Sequence, residues 1–433
     1  YPENPEAGID LFLEKLVQET EKEHEDILEQ ADETDAMFGE LYSWYLRNPE
    51  YRSRVQKLVQ SAFAGKPEDI ISQSVAKALY GEVSPYSATR LERFAACAFA
   101  HFLQYGMKLT ERVEYEFKPM DMGNVMHGAL ESFAEEVRKR GMKWTELTEQ
   151  ERNEIADRCL DNIVADYGNT VLKSSARNEY MIERTRRILR RTVWALQKQL
   201  EQGEFQPEGF EVTFGGGRID RVDIMEDQNK VYVKVIDYKT GNTSFDLVYL
   251  YHGLQLQLMI YLDGALRVEQ KKYPDKEIIP AGVFYYNIKD PMIQEKIDAD
   301  VEAVSAGLMK ELKMNGLVQA DPELVYRMDS SLGSIPVAFN KDGSFRKNSS
   351  VADRTQFAVL GRYVRTKIEK IRSSILEGDA EVSPYELGKK NACTYCPYMT
   401  VCGFDRRLSG YEFRRLKNFS DEELWKAFDR EAE

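Results

Sequence analysis

Between residues 9 and 80, apolar side chains recur at three- and four-residue spacing, as in Ile9, Phe12, Leu13, Leu16 and Val17. The spacing predicts about four helices. The stretch SPYSATRLERFAACAFAHFLQYG over 84–106 is also helical in pattern, with Ser87 as N-cap, Gly106 as stop and a break near Cys97. Residues 112–117 (RVEYEF) alternate and predict a strand. An amphipathic helix is predicted from Gly123 to Arg140, carrying His127, and two more over 148–166 and 178–202. The texture then changes. Residues 210–214, 217–225 and 230–238 are short runs rich in Val, Ile, Phe and Tyr, separated by Gly-Gly-Gly and Asp-Gln-Asn turns, and predict a meander. A helix over about 246–266, a strand over 279–288, and helices over about 295–314 and 350–377 follow. Residues 386–411 are irregular and rich in cysteine, and a short helix closes the chain. There is no internal repeat and no low-complexity linker. A small mixed sheet flanked by many helices puts the fold in the α/β or α+β class.

Composition narrows the function classes. The chain has 433 residues, enough for a large core, and its 42% apolar content with 24 Tyr and 20 Phe is that of a folded protein. No apolar run approaches the length of a membrane span. The first residues, Tyr1-Pro2-Glu3-Asn4, lack the basic and apolar regions of a signal peptide, so a cytoplasmic location is expected. The missing initiator methionine is expected of a fragment or a processed product. A net charge of −14 argues against a blanket electrostatic grip on DNA. Acid is concentrated over residues 19–35. Basic clusters lie at Arg184, Arg186, Arg187, Arg190 and Arg191; at Arg362, Arg365, Lys367, Lys370 and Arg372; and at Arg406, Arg407, Arg414, Arg415 and Lys417. A local basic groove is compatible with the net charge, although each cluster taken alone is better read as a solvated helix face.

Within VKVIDYKTG, Asp237 and Lys239 stand two apart and share a strand face, just before Gly241. Tyr238 points the other way and leaves its backbone carbonyl near the same site. The preceding run, GGRIDRVDI, carries Asp220, which a hairpin can set beside Asp237. Two carboxylates that close repel unless a cation lies between them, and oxygen ligands suit Mg²⁺ or Mn²⁺. His127 would add an imidazole, which tilts the preference towards manganese. Lys239 would position or deprotonate a water and stabilise charge on a phosphate. Gln257 and Tyr261 are four apart on the following helix, so both can reach phosphate oxygens without reading sequence. Each residue has a plainer reading. A lone helical histidine is more often surface or core than ligand. Asp220 could pair with Arg218 or Arg221. Asp223 is a rival carboxylate on the opposite strand face. Glu131, one turn after His127, is better read as solvated.

Cys393-x2-Cys396-x5-Cys402 places three thiols in ten residues. A fourth ligand must come from elsewhere, and Cys97, in a helical break that could present its thiol outward, suits this better than Cys159 in mid-helix. A centre joining Cys97 to these thiols would close a loop of about 300 residues. Disulfides do not fit a cytoplasmic chain, whereas zinc and iron–sulfur both fit the thiols.

The set Gly123-x3-His127, Gly217-Arg218-Ile219-Asp220, Asp237-Tyr238-Lys239 and Gln257-x3-Tyr261 resembles RecB-type nuclease domains of the PD-(D/E)xK superfamily, in the same order. The resemblance implies a restriction-endonuclease-like mixed-sheet core with extensive helical additions. It also implies His127, Asp220, Asp237 and the Tyr238 carbonyl as metal ligands, Lys239 as the catalytic lysine, and Gln257 and Tyr261 as helpers at the DNA strand. The cysteine pattern resembles the iron–sulfur staple of the AddB/RexB family, as does Ser87-x2-Arg90-Leu91-Glu92-x-Phe94-x2-Cys97, although Ala98 replaces the family's usual proline. That resemblance implies a structural 4Fe–4S cluster on Cys97, Cys393, Cys396 and Cys402. Under it, residues 1–83 look like the tail of a helicase-like region, 84–411 like the nuclease domain, and 412–433 form a C-terminal helix. No Gly-x4-Gly-Lys-(Ser/Thr) loop occurs, so ATP binding of that kind and translocation are not expected of this stretch. The expected function is metal-dependent hydrolysis of DNA phosphodiester bonds in double-strand break end resection. The expected partners are single-stranded or duplex-end DNA and an AddA-type helicase–nuclease subunit. The alternatives are a catalytically silent DNA-binding scaffold and a CRISPR-adaptation-type iron–sulfur nuclease.

Overall fold

The structure, a computed structural model, describes all residues except 1–32, 63–69, 82–86, 111–118, 167–174, 216, 294–299, 409 and 433. The helical repeat around Ile9–Val17, the acidic stretch up to residue 32 and the strand expected at 112–117 lie outside the described residues. Helices α1 (Glu33–Arg47), α2 (Pro49–Ala62), α3 (Gln73–Tyr80), α4 (Ala88–Ala96) and α5 (Ala98–His101) come first, with a π-helical turn over Phe102–Gly106. Helices α6 (Pro119–Lys139), α7 (Glu149–Asp166) and α8 (Ala176–Glu201) lead into strands β1 (Gln206–Phe214), β2 (Gly217–Asp227) and β3 (Lys230–Lys239). Then follow α9 (Leu247–Tyr251), α10 (Gln257–Lys272), β4 (Glu277–Asn287), α11 (Val301–Glu311), β5 (Asn315–Gln319), α12 (Pro322–Met328), β6 (Val351–Ala352) and α13 (Arg354–Glu377). The chain ends with β7 (Tyr385–Leu387), β8 (Lys390–Asn391), α14 (Met399–Cys402), β9 (Arg414–Arg415) and α15 (Asp421–Ala432).

Two compact units result. One draws on Tyr1–Gly81, Ala96–Leu109 and Ser374–Lys417; the other on Glu82–Ala95, Thr110–Ser373 and Asn418–Glu433. In the first, α1 and α2 pack through buried Tyr45 and Val55, and a three-stranded sheet runs β8-β7-β9.

The second unit holds a mixed six-stranded sheet in the order β1-β2-β3-β4-β5-β6. The expected meander is present: β1, β2 and β3 pair antiparallel. β4 then lies parallel to β3, which requires a crossover, and α9 and α10 supply it. Alternation sorts the strand side chains. Ile236 and Tyr238 of β3, with Phe284 and Tyr286 of β4, join Met126 and Phe133 of α6, Leu160 of α7 and Leu196 of α8 in one apolar core. The intervening positions face the other side, where α10 packs across β3 and β4. The central strands are buried on both faces, which is why they read as near-continuous apolar runs.

Three expectations are corrected. The helix expected over 246–266 is two helices: Gly253, at φ +78°, ends α9, and α10 starts at Gln257. Of the helix expected over about 295–314, residues 295–299 lie outside the described residues, and α11 runs only from Val301 to Glu311, with Asp300 capping it through Ala303 N. Cys97 is buried at 7% exposure instead of pointing outward. Strand β5 carried no alternation to reveal it, since four of its five residues are buried. Its Gly316 is required: a Cβ there would sit 1.9 Å from the Val283 carbonyl oxygen of β4.

Candidate functional site

The site grows from the end of the β2–β3 ladder. Arg221 pairs with Ile236, and one step beyond them stand Asp220 and Asp237, the hairpin neighbours that the sequence suggested. Asp220 is anchored by the Tyr238 amide, which donates to its Oδ2 at 2.7 Å. Helix α6 brings His127 over this edge, with Nδ1 3.4 Å from Asp220 Oδ2 and Nε2 3.1 Å from the Tyr238 carbonyl. The amphipathic stripe of α6 fixes that position, because Val125, Met126, Ala129 and Leu130 are locked in the core around it. On the same side, Lys239 Nζ lies 2.7 Å from Asp237 Oδ2 and donates to Gln257 Oε1 at 2.8 Å. Gln257 in turn donates to the Tyr261 hydroxyl at 2.9 Å, the contact that their four-residue spacing allows.

Glu211 completes the edge. It lies between the pairs Phe210↔Arg221 and Val212↔Ile219, and so opposite Asp220. Its φ of +49° is unusual for a residue with a side chain, and strained backbone of this kind gathers at functional sites. One oxygen lies 3.8 Å from His127 Nδ1, and Arg218 pairs with the other. Ligand atoms of His127, Glu211 and Asp220 lie within 4.8 Å of one another.

The electrostatics are those of a carboxylate-rich pocket. Burial alone would lower the His127 pKa, but the hydrogen-bonded Asp220 carboxylate, with Glu211, pushes it up to about 10. Burial, then the charge of Asp220, pushes Asp237 up to about 7 against the pull of Lys239. A divalent cation would reverse both shifts, so the donor set fits one: carboxylates, an imidazole and the Tyr238 carbonyl. The rival Asp223 is excluded, because alternation turns it to the other face between buried Arg221 and Lys234.

In the first unit, Cys97, Cys393, Cys396 and Cys402 line one pocket with Phe99, Ala392 and Tyr398. The break before α5, with Cys97 at φ −166°, turns its thiol there. Burial pushes the Cys97 thiol up, against the opposing pull of the nearby Ala100, Ser383 and Phe99 amides. Burial first, then the neighbouring thiols, pushes Cys393 up to about 12. A cationic centre would relieve that crowding, and the all-sulfur donors fit zinc or an iron–sulfur cluster. Cys159 lies buried in mid-α7, as expected of an inert cysteine.

Several residues of the basic clusters are paired within the chain. Arg186 pairs with Asp161 at 2.7 Å, Arg187 with Asp290 at 2.6 Å, Arg365 with Asp263 at 2.9 Å and Arg407 with Asp405 at 2.7 Å.

Residues 85–403 match the family model of the PD-(D/E)XK nuclease superfamily. The chain belongs to the PD-(D/E)XK nuclease superfamily. Among curated relatives it is similar to proteins named as the B subunit of an ATP-dependent helicase/deoxyribonuclease. The one from Lachnoclostridium phytofermentans is 41% identical, over 93% of this chain and 36% of that protein. Those from Thermoanaerobacter sp. and Clostridium acetobutylicum are 34% and 33% identical, over 93% and 92% of this chain and 37% and 36% of theirs. The chain thus spans just over a third of the length of these relatives. No helix among the described residues is long and apolar enough to cross a membrane.

The order of motifs had singled out six candidate residues: His127, Asp220, Asp237, Lys239, Gln257 and Tyr261. The structure gathers all of them, either at the ligand cluster or in the hydrogen-bonded row beside it. Sequence reasoning missed Glu211, which stands in an unremarkable run, FEVTF. It also left Glu92 without a role. The signal that could have found Glu211 was a carboxylate on the strand antiparallel to that of Asp220.

Proposed function

We propose that this chain is the nuclease part of the B subunit of a helicase–nuclease and hydrolyses DNA phosphodiester bonds with a divalent metal ion, Mg²⁺ or Mn²⁺. The convergence of His127, Glu211 and Asp220 beside the Asp237–Lys239 pair is the observation that carries this reading. His127, Glu211, Asp220, Asp237 and the Tyr238 carbonyl would hold the ion. When bound, it polarises the phosphate and makes the attacking water more acidic. Lys239 is held between Asp237 and Gln257, where it can orient a water and stabilise charge gathering on the phosphate. Gln257 and Tyr261 offer neutral hydrogen bonds to the strand, which position it without reading sequence.

Relatives named as the B subunit of a helicase/deoxyribonuclease support an AddA-type companion that delivers single-stranded or duplex-end DNA. They also support a cytoplasmic role in double-strand break resection. The similarity runs over 93% of the chain, well beyond residues 85–403, which favours this over a CRISPR-adaptation nuclease. Cleavage of labelled DNA by the full complex, with and without Mn²⁺ or Mg²⁺, tests the reading. No metal-stimulated product from either strand would leave only a silent scaffold.

Metal binding should be proton-linked. With His127 up at about 10 and Asp237 at about 7, an ion must displace protons to bind. Mn²⁺ affinity is therefore expected to rise between about pH 6 and pH 9, with about one or two protons released per ion. Titration calorimetry in buffers of different ionisation heat measures this. An affinity flat with pH and no proton release would contradict the proposed ligand set.

The thiol pocket is proposed to carry a structural 4Fe–4S cluster on Cys97, Cys393, Cys396 and Cys402. Anaerobically purified full-length protein is expected to be brown, with broad visible absorbance that Cys97→Ser removes while melting earlier. By loop-closure reasoning the lost cross-link costs about 4–5 kcal/mol. Colourless protein with stoichiometric zinc would overturn the iron assignment.

A further inference from the structure

Helix α10 begins without a cap of its own. Its N-cap position is Leu256, at φ −85° and ψ −21°, and no side chain of the local segment accepts its first amides. An uncapped start of this kind leaves backbone N–H groups unsatisfied. Here one oxygen of Glu92, on α4 and 164 residues earlier, accepts both the Leu256 amide at 2.7 Å and the Gln257 amide at 3.0 Å. A carboxylate at this position also favours the positive end of the helix dipole. The same face of α4 fits the bend before the helix: a Cβ on Gly253 would lie 3.2 Å from the Ala95 Cβ.

Gln257 is the residue whose backbone Glu92 holds, and its side chain holds the catalytic row. Its Oε1 accepts from Lys239 at 2.8 Å, its Nε2 donates to Tyr261 at 2.9 Å, and Lys239 sits 2.7 Å from Asp237. We propose that Glu92 is a positioning residue of the nuclease site: by capping α10 it fixes the Gln257 side chain, and through it the Lys239 ammonium. The hydrogen bonds of Glu92 run to the Leu256 and Gln257 amides and to none of the proposed metal ligands. The inference rests on the nuclease reading above. Burial pushes the Glu92 carboxyl up to about 7 against those two amides, so its placement is costly and is not that of a solvated cap.

The test uses the full-length protein in its complex, with Mn²⁺ and a labelled DNA end. Glu92→Ala is expected to lower kcat about 10- to 100-fold and to leave KM for DNA within about twofold, as a misplaced catalytic group does. Glu92→Gln keeps an oxygen that can accept both amides and should retain most activity. Glu92→Asp, a gentler change should the alanine variant not fold, is expected to fall between them. In the Gln257→Ala background, Glu92→Ala should add almost no further loss, because both act through one side chain. Hydrogen exchange gives a readout independent of cleavage. Backbone amides over 254–258 should exchange faster in Glu92→Ala, while those of β3 stay protected. Wild-type rates in Glu92→Ala, losses that multiply in the double variant, or unchanged exchange over 254–258 would each overturn the proposal. If the wild-type complex itself cleaves nothing, the nuclease reading falls and this assignment falls with it, whatever the exchange rates show about the cap.

Discussion

Asp237→Ala in the full-length protein is expected to lower metal-dependent DNA cleavage by about 10³-fold or more, equivalent to about 4 kcal/mol of transition-state stabilisation. Asp237 is 1% exposed, faces the Lys239 ammonium at 2.7 Å and stands beside Asp220 at the end of the ladder. Its removal takes away a proposed metal ligand and the counter-charge that holds the lysine. The same position should show the opposite sign in stability. Burial and Asp220 raise the carboxyl from its ordinary 3.8 to about 7, so the folded state binds this proton more tightly than the unfolded chain does. The resulting stability is present in full below about pH 4 and is lost as pH rises through about 7. Without metal at pH 8, Asp237→Asn should therefore unfold at equal or higher denaturant than wild type, by up to on the order of a few kcal/mol. Cleavage of both strands at wild-type rate by Asp237→Ala would remove Asp237 from the chemistry. Loss of activity together with a lowered melt would reduce it to a structural residue.

Asp223→Ala is expected to destabilise the folded state by about 3–5 kcal/mol. Asp223 is fully buried and accepts from Arg221 through both oxygens, the longer contact at 2.9 Å, while Lys234 lies 3.0 Å away. Arg221 is 2% exposed and also lies over the rings of Trp144 and Phe210. Burial would raise the Asp223 pKa, but Arg221 and Lys234 outweigh it and hold the carboxyl below its ordinary value. Its contribution is thus present above about pH 4 and lost as pH falls below that. Alanine leaves two buried cations without an anion, and an unpaired buried charge costs far more than the pair contributes. Replacing all three with apolar residues of similar size should recover most of the loss. Urea unfolding of the single and triple variants measures both effects. A shift in Asp223→Ala no larger than that of a surface substitution would show that the three charges do not depend on one another.

The chain's own pattern settled what depends on near neighbours. Period-two alternation marked the strands of the meander and set Asp237 and Lys239 on one face. It also turned Asp223 away from Asp220, as the buried Arg221–Asp223–Lys234 cluster bears out. Helical spacing joined Gln257 to Tyr261, and cysteine spacing marked Cys393, Cys396 and Cys402, three of the thiols that share one pocket. These relations hold over one or two turns or pleats, where residue type and period fix geometry. Tertiary structure alone decided the rest. Glu211 reaches His127 only through the β1–β2 register and its own left-handed backbone, and no local signal encodes a pairing partner. Glu92 meets Leu256 and Gln257 only because the fold brings a helix to an uncapped end 164 residues away. The bend at Gly253 and the short strand β5 likewise follow from what they pack against. Contacts between distant segments depend on how whole elements seat against one another, a property of the assembled core and not of any window of sequence.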